Sequence, residues 1–281
     1  MRKPLLLVTL TVVLFACQKE KDNTATYEKK VNVAYGTDAK QVMDLYLPSN
    51  ANASTTKLMV LIHGGAWADG DKADFDIYIN ELQRRLPGYV FANINYRLFT
   101  FNGQNKFPAQ EQDVKAAVSF LLNKSAAYKF SKTFVLLGAS AGGHLALLQG
   151  YKYANEATPK AIVSFFGPTD LTYLYDHPGQ QGVPALLATI VGATPAQNAA
   201  LYESCSPIHF VTPQSAHTLL LQGGKDDLVP PAQATRLIDK LKEAGVYNEY
   251  IYYANEGHSW EGPNLDDSFN KIEKFIRQHV P

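Results

Sequence analysis

Short apolar runs alternate along the chain with stretches whose apolar residues recur every three or four positions. The first kind predicts β-strands and the second predicts helices that lay one face on a sheet. Eight runs qualify as strands: residues 31–35, 42–47, 58–62, 89–95, 134–137, 161–165, 218–222 and 249–253. The first two alternate polar and apolar residues, as an antiparallel edge pair with one solvated face does. Later runs such as Leu58-Met59-Val60-Leu61-Ile62 are apolar throughout, which predicts strands buried on both faces. Helical spacing marks 110–122, where Val114, Ala117, Val118 and Leu121 share a face, and also 144–149, 232–244 and 267–279. Pro230-Pro231 suits the opening of the third, because proline is tolerated in a first helical turn. The rhythm predicts an α/β domain over 30–281: a mostly parallel eight-stranded sheet flanked by helices. Residues 171–202 break it. They carry Tyr173, Tyr175, His177, Pro178, Gly179 and Gly182 before a short helical stretch, and are expected to form a small cap over one end of the sheet.

The first sixteen residues belong to targeting rather than to the fold. Arg2 and Lys3 precede an apolar stretch, Leu5 to Phe15, too short for the roughly 20 residues that span a bilayer. Leu14-Phe15-Ala16-Cys17 resembles a bacterial lipobox, although Phe15 is a less usual occupant of its position. The expectation is a signal peptide over 1–16, lipid on Cys17, a polar tether over 17–29, and an exported lipoprotein held at a membrane. The competing reading is an ordinary secretory peptide cut after Ala16. Cys205 is the only other cysteine, so a lipidated Cys17 leaves no internal disulfide.

The 26 basic and 26 acidic residues cancel, and no long run of one sign occurs. Nucleic-acid binding, which needs concentrated Lys and Arg to neutralise phosphates, is set aside. His and Cys lack zinc-type spacing, and no glycine-rich dinucleotide fingerprint follows a first strand. No metal and no organic cofactor is implied.

Two motifs carry chemistry. Gly138-Ala139-Ser140-Ala141-Gly142 lies between a buried strand and a helical stretch, the setting of a nucleophile elbow that lifts a serine hydroxyl clear of the backbone. His63-Gly64-Gly65-Ala66-Trp67 follows another buried strand. A glycine pair there lets the backbone point N–H groups at a substrate oxygen that becomes negative in the transition state. Gly65, Ala66 and Ala141, the last at a helix start, are the candidate oxyanion-hole residues.

Together these two motifs resemble the esterase branch of the α/β-hydrolase superfamily, and are similar to those of bacterial feruloyl and acetyl esterases and of kynurenine formamidases. The likeness continues through Asn95-Tyr96-Arg97-Leu98, Phe107-Pro108-Ala109 with Asp113, Phe166-Gly167-Pro168-Thr169-Asp170-Leu171 and Ser206-Pro207. Hormone-sensitive-lipase-like enzymes usually carry glycine where this chain has Ala66 and aspartate where it has Ala139, which favours the feruloyl/acetyl esterase group.

In this fold the serine's partners follow in the order acid, then histidine. His258, in a loop just after the last strand, is the expected base. His144 lies one helical turn beyond Ser140 and is expected to be structural; His63 is expected to orient the oxyanion loop, and His279 to be exposed. The family pattern Gly-x-x-Asp-x-x-Val-Pro matches Asp226 as the acid, with Asp227 beside it and Asp170 the other competitor by type. The resemblance implies hydrolysis of an ester through an acyl-enzyme, on acetyl or feruloyl esters of carbohydrates. An amide hydrolase on the same triad, or a binding lipoprotein without catalysis, are the alternatives. Trp67, Tyr173 and Trp260 are the candidates for the substrate pocket.

Overall fold

The computed structural model describes residues 25–281. The expected signal peptide, the lipidation at Cys17 and most of the tether lie outside the described residues. Eight strands form one sheet in the order β1-β2-β4-β3-β5-β6-β7-β8. They are β1 Tyr27–Ala34, β2 Val42–Pro48, β3 Leu58–Ile62, β4 Val90–Ile94, β5 Phe134–Ala139, β6 Ala161–Phe165, β7 His217–Gly223 and β8 Asn248–Tyr253. β2 runs against both β1 and β4, and every other neighbouring pair is parallel. β1 takes in Tyr27, Glu28 and Lys29, which the sequence reading left in the tether. Tyr27 pairs with Pro48 and packs on Phe91, and this cross-strand partner outweighs the charged neighbours.

The central strands are buried and mainly apolar because both faces are covered. Leu58, Val60 and Ile62 turn to one side, with α2 (Ala109–Asn123), α3 (Ala141–Lys152) and α7 (Ala232–Glu243). Met59 and Leu61 turn to the other, with α1 (Asp76–Arg85) and α8 (Gly262–His279). Helix α1 escaped the periodicity reading. Its fully buried apolar residues are only Ile79 and Leu82, Tyr78 is half-buried against Phe269, and Ile77 points to solvent. The 3-10 turn before it, Lys72–Phe75, is closed by a capping box between Asp71 and Asp74, so local polar chemistry starts this element.

The 171–202 insertion folds as three short helices, α4 (Leu171–Asp176), α5 (Val183–Val191) and α6 (Ala199–Ser204), rather than one. Among the described residues no helix is long and apolar enough to cross a membrane.

Candidate active site

Register places the functional loops side by side. Ile62 at the end of β3 lies opposite Gly138, and Ala139 at the end of β5 lies opposite Phe165, so Ser140 stands just beyond the carboxyl edge of the sheet. Its backbone sits at φ 53°, ψ −120°, a conformation an L-residue adopts at a cost on the order of 1–3 kcal/mol. Small neighbours make that turn possible. A Cβ on Gly138 would meet the Gly142 carbonyl oxygen at 2.2 Å, and one on Gly142 would meet the Ile62 carbonyl oxygen at 2.0 Å.

The loops after β5, β7 and β8 bring three side chains together. His258 Nε2 lies 2.9 Å from Ser140 Oγ. Its Nδ1 faces Asp226 at 2.9 and 3.0 Å from the two carboxylate oxygens. Asp226 is buried and also accepts from the Leu228 and Val229 backbone N–H groups and from Gln222 Nε2. Four donors on a buried carboxylate keep it an acceptor, and so hold the imidazole with its proton on Nδ1 and its Nε2 lone pair toward the serine. Asp227 is exposed. Asp170 is engaged elsewhere: it caps α4 by accepting from the Tyr173 N–H at 2.9 Å and pairs with Arg236 at 2.9 Å.

On the other flank the loop after β3 runs through three successive positive-φ residues: Gly65 at 103°, Ala66 at 49° and Trp67 at 59°. Glycine suits the first, where a Cβ would meet the Asp69 carbonyl oxygen at 2.1 Å. For Ala66 and Trp67 the conformation is unfavourable by roughly 1–2 kcal/mol each. Ala66, Trp67, Ser140 and His258 line one cleft together with aliphatic groups from the cap, among them Leu174, Leu186 and Leu187. Gly65 makes the turn but is absent from that lining. Ala141 opens α3, so its N–H is one of the four with no intrahelical partner.

The three pocket candidates separate. Trp67 lines the serine cleft. Trp260 lines a neighbouring cleft between α1 and α8, with Phe75, Tyr78, Phe165, Phe166 and Phe269. Tyr173 is in neither lining. The cap on α4 turns it between His177, stacked at 4.2 Å, and the Arg236 guanidinium, also at 4.2 Å. The two clefts share a wall, since Gly64, Ala139 and Ser259 face the aromatic one while Ala66, Ser140 and His258 face the aliphatic one.

Phe166 was not singled out as a site residue from sequence. It adopts φ 40° at the end of β6, and its ring lies 4.6 Å from the His258 imidazole. Only its place in the quoted Phe166-Gly167-Pro168 motif marked it. His144 is completely buried, and burial lowers its pKa to about 4, so it stays neutral. His63 is buried against Tyr96 with its Nδ1 on the Gly64 carbonyl oxygen, and burial lowers its pKa too. His279 is half-buried rather than exposed, packed against Tyr247, Phe275 and His217.

Comparison with known proteins agrees with this architecture. The BD-FAE family model matches residues 43–241, most of the chain. The chain belongs to the BD-FAE family. It is similar to esterase LipC of Mycobacterium tuberculosis, 23% identical over 268 residues that cover 90% of this chain and 66% of LipC. The chain spans between about half and two thirds of the length of LipC, LipM and LipQ of Mycobacterium tuberculosis, three of the curated relatives it matches. Among solved structures it resembles a truncated carbohydrate esterase from gut microbiota, with a TM-score of 0.77 and 24% identity, covering 91% of this chain and 98% of that one. It also resembles a bifunctional GH43-CE protein of Bacteroides eggerthii, with a TM-score of 0.79 and 26% identity, covering 90% of this chain and 38% of that one. This BD-FAE chain has the α/β-hydrolase fold.

Proposed function

We propose that the chain hydrolyses carboxylic esters through an acyl-enzyme on Ser140. The observation that carries this reading is the unbroken contact from Ser140 Oγ through His258 to the buried Asp226 carboxylate. His258 takes the serine proton as Oγ attacks the carbonyl carbon, and Asp226 stabilises the imidazolium that forms. The oxygen that becomes negative lies against the N–H groups of Ala66 and Ala141, with Gly65 supplying the turn. Each such donor contributes about 2.7–4 kcal/mol of transition-state stabilisation. His258 then gives its proton to the leaving alcohol, and water reverses the sequence to free the acid.

For the substrate, the aliphatic walls of the serine cleft favour a short acyl group such as acetyl. A carbohydrate alcohol fits the resemblance to the carbohydrate esterase from gut microbiota, which shares the fold. The aromatic cleft on the other side of the shared wall favours a second reading, a feruloyl ester whose ring enters that cleft. Assay of p-nitrophenyl acetate, acetylated xylan, methyl ferulate and N-formylkynurenine tests both. Turnover of an acetyl ester supports the first reading and turnover of methyl ferulate the second; activity on N-formylkynurenine alone contradicts the ester proposal.

We also propose that the protein is exported and anchored by lipid at Cys17. Support comes from Arg2, Lys3, the apolar stretch and the lipobox-like Leu14-Phe15-Ala16-Cys17. Metabolic labelling with an alkyne fatty acid tests it: label lost in Cys17→Ser supports the anchor, and an unlabelled wild type contradicts it.

A further inference from the structure

The backbone beside Ser140 is strained at Ala66 and Trp67, and something must hold it. One restraint is local: the Trp67 carbonyl accepts from the Phe99 N–H at 2.8 Å. The other comes from the nucleophile helix. Trp67 Nε1–H donates to His144 Nδ1 at 3.2 Å, and the two rings meet edge to face at 5.1 Å. His144 Nε2–H donates in turn to the Cys205 carbonyl oxygen at 2.7 Å, at the end of the last cap helix. Both ring nitrogens are therefore committed, which selects the tautomer with the proton on Nε2. His144 also belongs to the first turn of α3, where its own N–H bonds the Ser140 carbonyl at 3.0 Å. One imidazole thus joins the helix that starts at Ala141, the loop that carries Ala66, and the end of the cap.

We propose that His144 is a positioning residue: by gripping the Trp67 indole from the nucleophile helix, it fixes the Ala66 N–H relative to the Ala141 N–H, so that both meet one oxyanion. This rests on the acyl-enzyme reading above. An N–H displaced by a fraction of an ångström still permits substrate binding, but it weakens the interaction that strengthens only as charge develops. The loss falls on kcat and spares KM.

The test counts competent sites by titration with a fluorophosphonate and measures kcat and KM for p-nitrophenyl acetate per titrated site. Trp67→Phe, which removes the indole N–H and keeps an aromatic ring, is expected to lower kcat per site about 10- to 100-fold with KM within about threefold. His144→Phe is expected to do the same, and His144→Gln, which offers one donor and one acceptor, to recover much of it. The double variant Trp67→Phe/His144→Phe is expected to be no slower than the worse single one, because both remove one contact. Unchanged kcat per titrated site in Trp67→Phe, or losses that multiply in the double variant, overturns the proposal. If His144→Phe does not fold, Trp67→Phe decides alone. A wild-type protein that does not react with the fluorophosphonate overturns the underlying acyl-enzyme reading, so the two failures are told apart.

Discussion

Asp226 and His258 meet at 2.9 Å across two loops, whereas the adjacent carboxylate of Asp227 faces solvent. The acid loop turns so that Leu228 and Val229 donate their N–H groups back to Asp226, which pulls it under the imidazole. Replacing the acceptor by an amide permits the wrong tautomer on His258. Asp226→Asn is therefore expected to lower kcat by about 10³–10⁴-fold, and Asp227→Asn to leave it within about twofold. Steady-state kinetics on p-nitrophenyl acetate separates the two carboxylates; equal losses contradict the assignment.

Arg97 and Asp113 form a second buried polar knot, away from the chemistry. The fully buried Asp113 accepts from the Arg97 N–H at 2.8 Å, from its guanidinium at 2.6 Å and from Gln41 at 2.7 Å. It ties the exit of β4 to α2 and to the turn before β2. Asp113→Ala removes a buried acceptor from its donors while the half-buried Arg97 keeps access to water, so it is expected to destabilise the protein by about 1–3 kcal/mol. Urea denaturation reads the loss, and kcat of the folded fraction is expected to stay near that of the wild type.

Burial of neutral His144 makes stability depend on pH. Its pKa is lowered to about 4 by burial, against about 6.5 in the unfolded chain. Between those values the unfolded state binds the extra proton, so stability falls as pH is lowered. The contribution is fully present above pH ~6.5 and is lost by pH ~4, a change of roughly 3 kcal/mol. His63, lowered by the same cause, acts in the same direction. Urea midpoints between pH 7.5 and 4.5 are expected to fall, and less steeply in His144→Gln; equal slopes contradict this account.

Leu187, buried on α5, forms part of the aliphatic wall opposite Ser140. Leu187→Ala enlarges the cleft and is expected to raise the ratio of kcat/KM for p-nitrophenyl hexanoate over acetate by about tenfold, because the vacated space buries roughly two of the extra methylenes at about 0.8 kcal/mol each. The same change removes core volume and is expected to cost about 2–5 kcal/mol of stability. An unchanged ratio places the acyl chain elsewhere.

Strands β3 to β7 were legible as mainly apolar runs because the sheet covers both their faces, whereas β1 at the exposed edge was legible only from Val31 on, since Glu28, Lys29 and Lys30 carry charge. Helix α1 was not legible, because Asp76 to Arg85 offers only two fully buried apolar residues and sets Ile77 outward. For the candidate site, motif order singled out Ser140, Asp226 and His258, but only three dimensions show that their side chains touch. The strained backbone at Ala66, Trp67, Ser140 and Phe166 leaves no mark in residue type, because none of these favours positive φ. Tyr173 lies outside both cleft linings for a related reason: Asp170 caps its helix and turns the ring toward Arg236, a contact between segments more than 60 residues apart.

The identity of the nucleophile is tested most directly by reacting the protein with a fluorophosphonate and locating the adduct by peptide mass spectrometry. The account predicts a single phosphonyl group on Ser140, loss of esterase activity in proportion to labelling, and neither label nor activity in a folded Ser140→Ala variant. An adduct on another residue, or a Ser140→Ala protein that still turns over ester at the wild-type rate, would contradict it.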